Sequence, residues 1–92
     1  MYKYPIFVSE QFLDTIKKYF AGHFFRIYAK LKAYVYLQLR EDPHFGQNIK
    51  KLKNYHPDTW RYRIGKYRFY YAIDEKEHLV IMLAIDARKE LY

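Results

Sequence analysis

Trp60-Arg61-Tyr62-Arg63-Ile64-Gly65-Lys66-Tyr67-Arg68-Phe69-Tyr70-Tyr71 alternates large apolar and cationic side chains on either side of a Gly65-Lys66 break. Two β-strands joined by a tight turn follow from that pattern, with glycine at the first central position as a type II′ turn requires. So short a loop sets the register: Ile64 faces Tyr67, Arg63 faces Arg68, Tyr62 faces Phe69 and Arg61 faces Tyr70. Side chains alternate between faces along a strand. One face therefore carries Trp60, Tyr62, Ile64, Tyr67, Phe69 and Tyr71 and is a core face. The other carries Arg61, Arg63, Arg68 and Tyr70. Opposing two guanidinium groups, Arg63 and Arg68, costs from a few tenths to about 1 kcal/mol in a bare hairpin, and an anion bound between them would offset that cost.

Working outward, His78 to Ile85 is a near-continuous apolar run after the charged turn Ile73-Asp74-Glu75-Lys76-Glu77. An unbroken run of that kind predicts a central strand buried on both faces. On the other side, His44 to Asp58 holds Gly, Pro, Asn and three lysines and reads as a loop, with room for a helical turn over Ile49–Leu52. Tyr4 to Val8 is short, aromatic and β-branched, and Pro5 restricts it to a strand start or an edge. Ser9 is a good N-cap for a helix in which Phe12, Ile16 and Tyr19 or Phe20 share a face. Gly22-His23 breaks it. Phe24, Ile27, Tyr28, Leu31, Tyr34 and Val35 continue the helical spacing to about Leu39, and Asp42-Pro43 stops it. The order is β-α-α-β-β-β: an α+β fold in which a small, antiparallel-rich sheet packs against a helical hairpin. No repeat, low-complexity segment or linker interrupts residues 1–92, so a single domain is expected.

The chain has 92 residues, 51% of them hydrophobic, no cysteine and a formal net charge of +7. The composition is globular, and no run of 18 apolar residues predicts a membrane span. Absence of cysteine excludes disulfides and thiolate zinc sites and fits a cytoplasmic protein, as does a start without a secretory signal pattern. The charge is concentrated. From Gln47 to Tyr71 stand Lys50, Lys51, Lys53, Arg61, Arg63, Lys66 and Arg68 against the single acid Asp58. Clustering of this kind is the footprint of a nucleic-acid binder, although a solvated basic surface gives the same composition. Tyr70, beside Arg61 on the charged face, offers a stacking platform for a base.

The usual catalytic constellations are missing. His23, His44, His56 and His78 lack metal-ligand spacing, so no metal is expected. The glycines are isolated, no phosphate loop exists, and the lone serine, Ser9, has no neighbouring base. No cofactor is implied.

Three segments together carry a family resemblance: Leu52-Lys53-Asn54, then Trp60 to Tyr71, then Ile85-Asp86-Ala87-Arg88-Lys89-Glu90-Leu91-Tyr92. They resemble the RelE/ParE toxin superfamily, whose members show "Leu-Lys-Gly", a "Trp-Arg-x-Arg-x-Gly-x-Tyr-Arg-x-x-Tyr" hairpin, and a final strand ending in "Gly-His-Arg-x-x-x-Tyr". The resemblance implies a RelE-like fold and a toxin of a type II toxin–antitoxin pair, held inactive by a cognate antitoxin. In the RelE-like branch the target is mRNA in the ribosomal decoding site; in the ParE-like branch it is DNA gyrase. A non-catalytic RNA-binding module on the same fold is the remaining alternative. Position by position, the resemblance makes Arg68 the arginine that stabilises the transition state, Arg88 a second phosphate-binding arginine, and Tyr92 a C-terminal tyrosine that stacks on a base. Arg61 and Arg63 fall where the RelE site has two lysines, and Ala87 where many members have histidine. Lys50, Lys51, Lys53 and Lys66 complete the expected RNA-binding set.

The implied chemistry is metal-independent RNA cleavage, in which the 2′-OH attacks the adjacent phosphorus. It needs a base for the 2′-OH, cations for the phosphorane and an acid for the departing 5′-oxygen. Arginines suit the second task, because their planar forks grip phosphate oxygens and stay charged. They do not suit the first, since their pKa lies above about 12. Lys53, Lys51 or Tyr92, with a pKa lowered by neighbouring cations, are the candidate bases.

Overall fold

The structure, a computed structural model, describes residues 3–56 and 58–87. Five strands form one sheet in the order β1-β5-β4-β3-β2: β1 (Ile6–Phe7), β2 (Ile49–Lys51), β3 (Trp60–Ile64), β4 (Tyr67–Asp74) and β5 (Leu79–Ala87). Helices lie between β1 and β2 and pack on one face of it.

The hairpin has the predicted register in full, with Trp60 opposite Tyr71 as a further pair. Gly65 takes φ +58 while Lys66 does not enter the positive-φ region, the combination that separates type II′ from type I′. The greasy face is buried: Tyr62, Tyr67, Phe69 and Tyr71 are all at most 5% exposed. At the other end of β4, the Asp74 carboxylate accepts from the N–H groups of Lys76 and Glu77 at 3.1 and 3.0 Å, closing the charged turn.

Helix α1 (Glu10–Tyr19) starts where Ser9 predicts, with the Ser9 hydroxyl accepting from the Phe12 N–H at 3.1 Å. After a short 3₁₀ turn, α2 (Phe24–Lys30), a π-helical segment (Leu31–Val35) and α3 (Tyr36–Glu41) run on as one rod. The π segment corrects the predicted apolar face. A wide turn of i→i+5 type takes up one extra residue, so the stripe that begins Ile27, Leu31, Val35 continues through Tyr36 and Leu39. Tyr34, predicted on that stripe, is 56% exposed, and Tyr28 sits at its edge.

Two further expectations are corrected. The 44–58 stretch, which reads as a loop, contains β2, an edge strand pairing antiparallel with β3 (Ile49 opposite Tyr62, Lys50 opposite Arg61, Lys51 opposite Trp60). Its hydrogen-bond partners come from β3, so local composition gives no sign of it, and its lysines are typical of a protected edge. Strand β5 is not buried on both faces. It lies between β4 and the two-residue parallel strand β1, and among its described side chains only Val80, Met82 and Ile85 are buried in the core. Leu83, the extra residue of a bulge opposite Tyr70/Tyr71, is 46% exposed, because among the described residues no second layer covers that side. Asn54, where the family pattern has glycine, takes φ 65 in the β2–β3 loop, a left-handed conformation that asparagine tolerates.

Two of the core tyrosines, Tyr71 and Tyr36, have hydroxyls whose acidity burial weakens. Tyr71 donates to the Pro43 carbonyl at 2.7 Å, tying β4 to the chain after α3. Burial, reinforced by Asp42, pushes its hydroxyl far above the ordinary tyrosine range. Burial, with Tyr28 adding, pushes Tyr36 up to about 12. Below pH 10 both are neutral folded or unfolded; above it the unfolded chain loses protons that the folded chain keeps. Stability is therefore complete below about pH 10 and falls as pH rises towards the folded values, by about 1.4 kcal/mol per tyrosine one unit above the unfolded pKa. Urea midpoints at about pH 8 and about pH 11 should differ accordingly, and Tyr36→Phe should narrow the gap. Equal midpoints would contradict the assignment.

Candidate nucleic-acid interface

The face of the sheet turned away from the helices collects the cations. Strand alternation sends Arg61 and Arg63 of β3 and Arg68 and Tyr70 of β4 to that face, and pairing with β2 adds Lys50. Two rows cross the strands: Lys50–Arg61–Tyr70–Ala84, and Arg63–Arg68–Asp86. With strands about 4.8 Å apart and same-face residues of one strand about 7 Å apart, the four cations occupy a patch the size of one or two nucleotides.

An open groove of about 740 Å³ runs along the β2–β3 edge of this patch, lined by Gln47, Asn48, Lys50, Arg61, Arg63 and Gly65 among others. The Asn48 carbonyl accepts from the Arg63 N–H at 3.0 Å and holds the groove wall to β3. Among the described residues, Lys50, Arg61 and Arg63 have no ion-pair partner, and Arg61 Nε is buried without an acceptor. An orphaned guanidinium N–H lacks a hydrogen bond that an anion could supply. Only Arg68 is engaged: its Nη1 lies 3.4 Å from the Asp86 carboxylate, with the Arg68 side chain 19% exposed.

The remaining expected residues separate. Lys51 lies on the Trp60 side of β2, its ammonium 3.2 Å from Asp58 and 5.7 Å from the Trp60 ring centre. Lys66, at the hairpin tip, bends back over the Tyr67 ring. Lys53 lines a second open groove in the β2–β3 loop with Tyr55 and His56. Arg88 and Tyr92 lie outside the described residues. Among the described residues no group of three or more His, Asp or Glu could hold a metal ion, and no helix is long and apolar enough to cross a membrane. Sequence reasoning misses Asp86, whose only signal is its place opposite Arg68 once the β4–β5 register is known. It also misses His44, whose ring nitrogens approach Glu75 at 2.6 Å and Asp42 at 3.6 Å at the far end of the sheet.

Comparison with known proteins fits this geometry. The chain is similar over residues 6–92 to the family described as ParE toxin of the type II toxin–antitoxin system. Among curated proteins, none matches the chain at a significant level. Among solved structures, it resembles the toxin–antitoxin complex RelBE2 from Mycobacterium tuberculosis, with TM-score 0.68 and 24% identity over 94% of this chain and 99% of that one. It also resembles a double arginine-to-alanine mutant of E. coli toxin RelE in the free state (TM-score 0.62, 20% identity, 95% of this chain and 84% of that one). A third is the archaeal RelE–RelB complex from Pyrococcus horikoshii (TM-score 0.53, 18% identity, 96% and 98%). With a family match spanning nearly all its length and a fold shared with RelE structures, the chain belongs to the RelE/ParE superfamily of toxins of type II toxin–antitoxin systems.

Proposed function

We propose that this toxin is a metal-independent endoribonuclease that cleaves mRNA on the ribosome by attack of the 2′-OH on the scissile phosphate. The observation that carries the reading is the open sheet face, where Lys50, Arg61 and Arg63 line a groove, Arg68 stands opposite Arg63, and an Arg61 N–H lacks an acceptor. Arg63 and Arg68, directly opposed, are placed to grip a phosphate's non-bridging oxygens and to stabilise the charge that builds on the phosphorane. Tyr70, in register with Arg61, offers a ring to a neighbouring base, with Lys50 and Lys53 drawing in the backbone. Arg88 and Tyr92 join this set as second phosphate ligand and stacking residue. The toxin works in the cytoplasm, where a cognate antitoxin restrains it; complexes of that kind are what two of the similar structures contain.

The family match to ParE toxins favours a second reading, inhibition of DNA gyrase without nuclease activity. Primer extension on an mRNA before and after expression of the protein separates the two. New 5′ ends within codons, left by downstream fragments with a free 5′-OH, are the expected result. Intact mRNA with cleavage complexes on purified gyrase would reverse the order, and salt-dependent RNA binding without either would leave a binding module.

A further inference from the structure

Arginine cannot serve as a resting base, and three of the cations on the open face, Arg61, Arg63 and Arg68, are arginines. One described carboxylate contacts an arginine of that face. Asp86 of β5 stands directly opposite Arg68 of β4 and on the same face. Its carboxylate lies 3.4 Å from Arg68 Nη1, and its side chain is 57% exposed. Among the described residues that contact is the carboxylate's sole ion pair, and it engages one oxygen. The other described acid of the basic region, Asp58, is on Lys51, which lies on the helix side of β2.

We propose that Asp86 is the general base of the cleavage step, an inference that rests on the nuclease reading above. A phosphate held between Arg63 of β3 and Arg68 of β4 lies about one and a half strand spacings, about 7 Å, from β5, a gap that a ribose directed towards β5 spans. A carboxylate there comes within the about 2.6–3.2 Å reach that proton transfer needs. Arg68 then has two tasks: it binds a phosphate oxygen and it orients the carboxylate. As the O2′–P bond forms, the 2′-OH proton passes to Asp86. The P–O5′ bond breaks with its electron pair on O5′, which takes a proton from solvent water. Asp86 returns its proton to the hydroxide so formed, leaving a 2′,3′-cyclic phosphate and a free 5′-OH. The placement also explains how the face does without lysines at positions 61 and 63.

The alternative role for Asp86 is to neutralise Arg68, and single-turnover cleavage on mRNA-programmed ribosomes with the purified toxin decides between them. Asp86→Asn should lower the cleavage rate constant about 10²–10⁴-fold while binding the programmed ribosome as tightly as the wild type or more so, since an anion has been removed. Asp86→Glu should restore part of the rate. Asp58→Asn changes net charge by the same amount and should leave the rate constant in place. If Asp86→Asn cuts as fast as the wild type, or faster, the proposal is wrong and the nuclease reading stands. If the wild type makes no cut, both fall together.

Discussion

Arg68→Ala should abolish measurable mRNA cleavage on translating ribosomes, lowering the rate by about 10²–10³ if it supplies one preorganised donor to the phosphorane, and more if Asp86 loses its orientation as well. The fold should be unaffected. Arg68 lies on the uncovered side of the sheet, and its ion pair with Asp86 is partly solvated, a class of contact worth about 0–1 kcal/mol. Thermal unfolding of the variant should therefore stay within a few degrees of the wild type. Arg68→Lys should recover little, because an ammonium cannot present the paired N–H groups that bridge phosphate and carboxylate. Unchanged cleavage by Arg68→Ala would remove Arg68 from the mechanism, and with it the case for a phosphate between Arg63 and Arg68.

Legibility of the fold from sequence varied with how local its causes are. The β3–β4 hairpin was fully legible: a two-residue turn starting with glycine leaves one register, and that register alone sorts ten residues into a core face and a cationic face. The Ser9 cap and the stop at Asp42-Pro43 are equally local. The π segment was not legible, since Leu31-Lys32-Ala33-Tyr34-Val35 suits an ordinary helix. It is tertiary packing that buries Tyr36 and turns Tyr34 outwards. Strand β2 and the one-sided burial of β5 depend on which neighbours the sheet supplies, which composition does not reveal.

The site was legible to the same degree and for the same reason. Arg61, Arg63, Arg68 and Tyr70 share a face because one hairpin carries them. Lys50 and Lys51 are adjacent in sequence, yet alternation on an unforeseen strand sends one to the groove and the other to Trp60. Asp86 required the β4–β5 register, which a bulge at Leu83 shifts by one residue. Without that bulge the alternation along β5 would be continuous, and Met82, Ile85 and Asp86 could not occupy the faces they do.

Strand β4 supplies the cationic face and the middle of the core at once, so Phe69→Ala should damage both. Phe69 is 0% exposed, stands between Tyr62 and Ile85 in register, and packs near Tyr67 with ring centres 6.5 Å apart. Truncation to alanine removes most of a ring from a site closed in by two strands and the helices, where collapse can fill little of the gap. The expected cost is about 3–5 kcal/mol, against a total of about 5–14 kcal/mol for a domain of this size at typical values per residue. The unfolding midpoint should fall by more than about 10 °C. On warming, activity should follow the folded fraction, because Arg68 and Tyr70 keep their places for as long as β4 stays paired on both sides. A variant that loses cleavage at temperatures where its circular dichroism is still native would instead show that the core ring holds the arginines directly. Leu83→Ala, on the uncovered side of β5, is the matched comparison and should change stability by no more than about 0.5 kcal/mol.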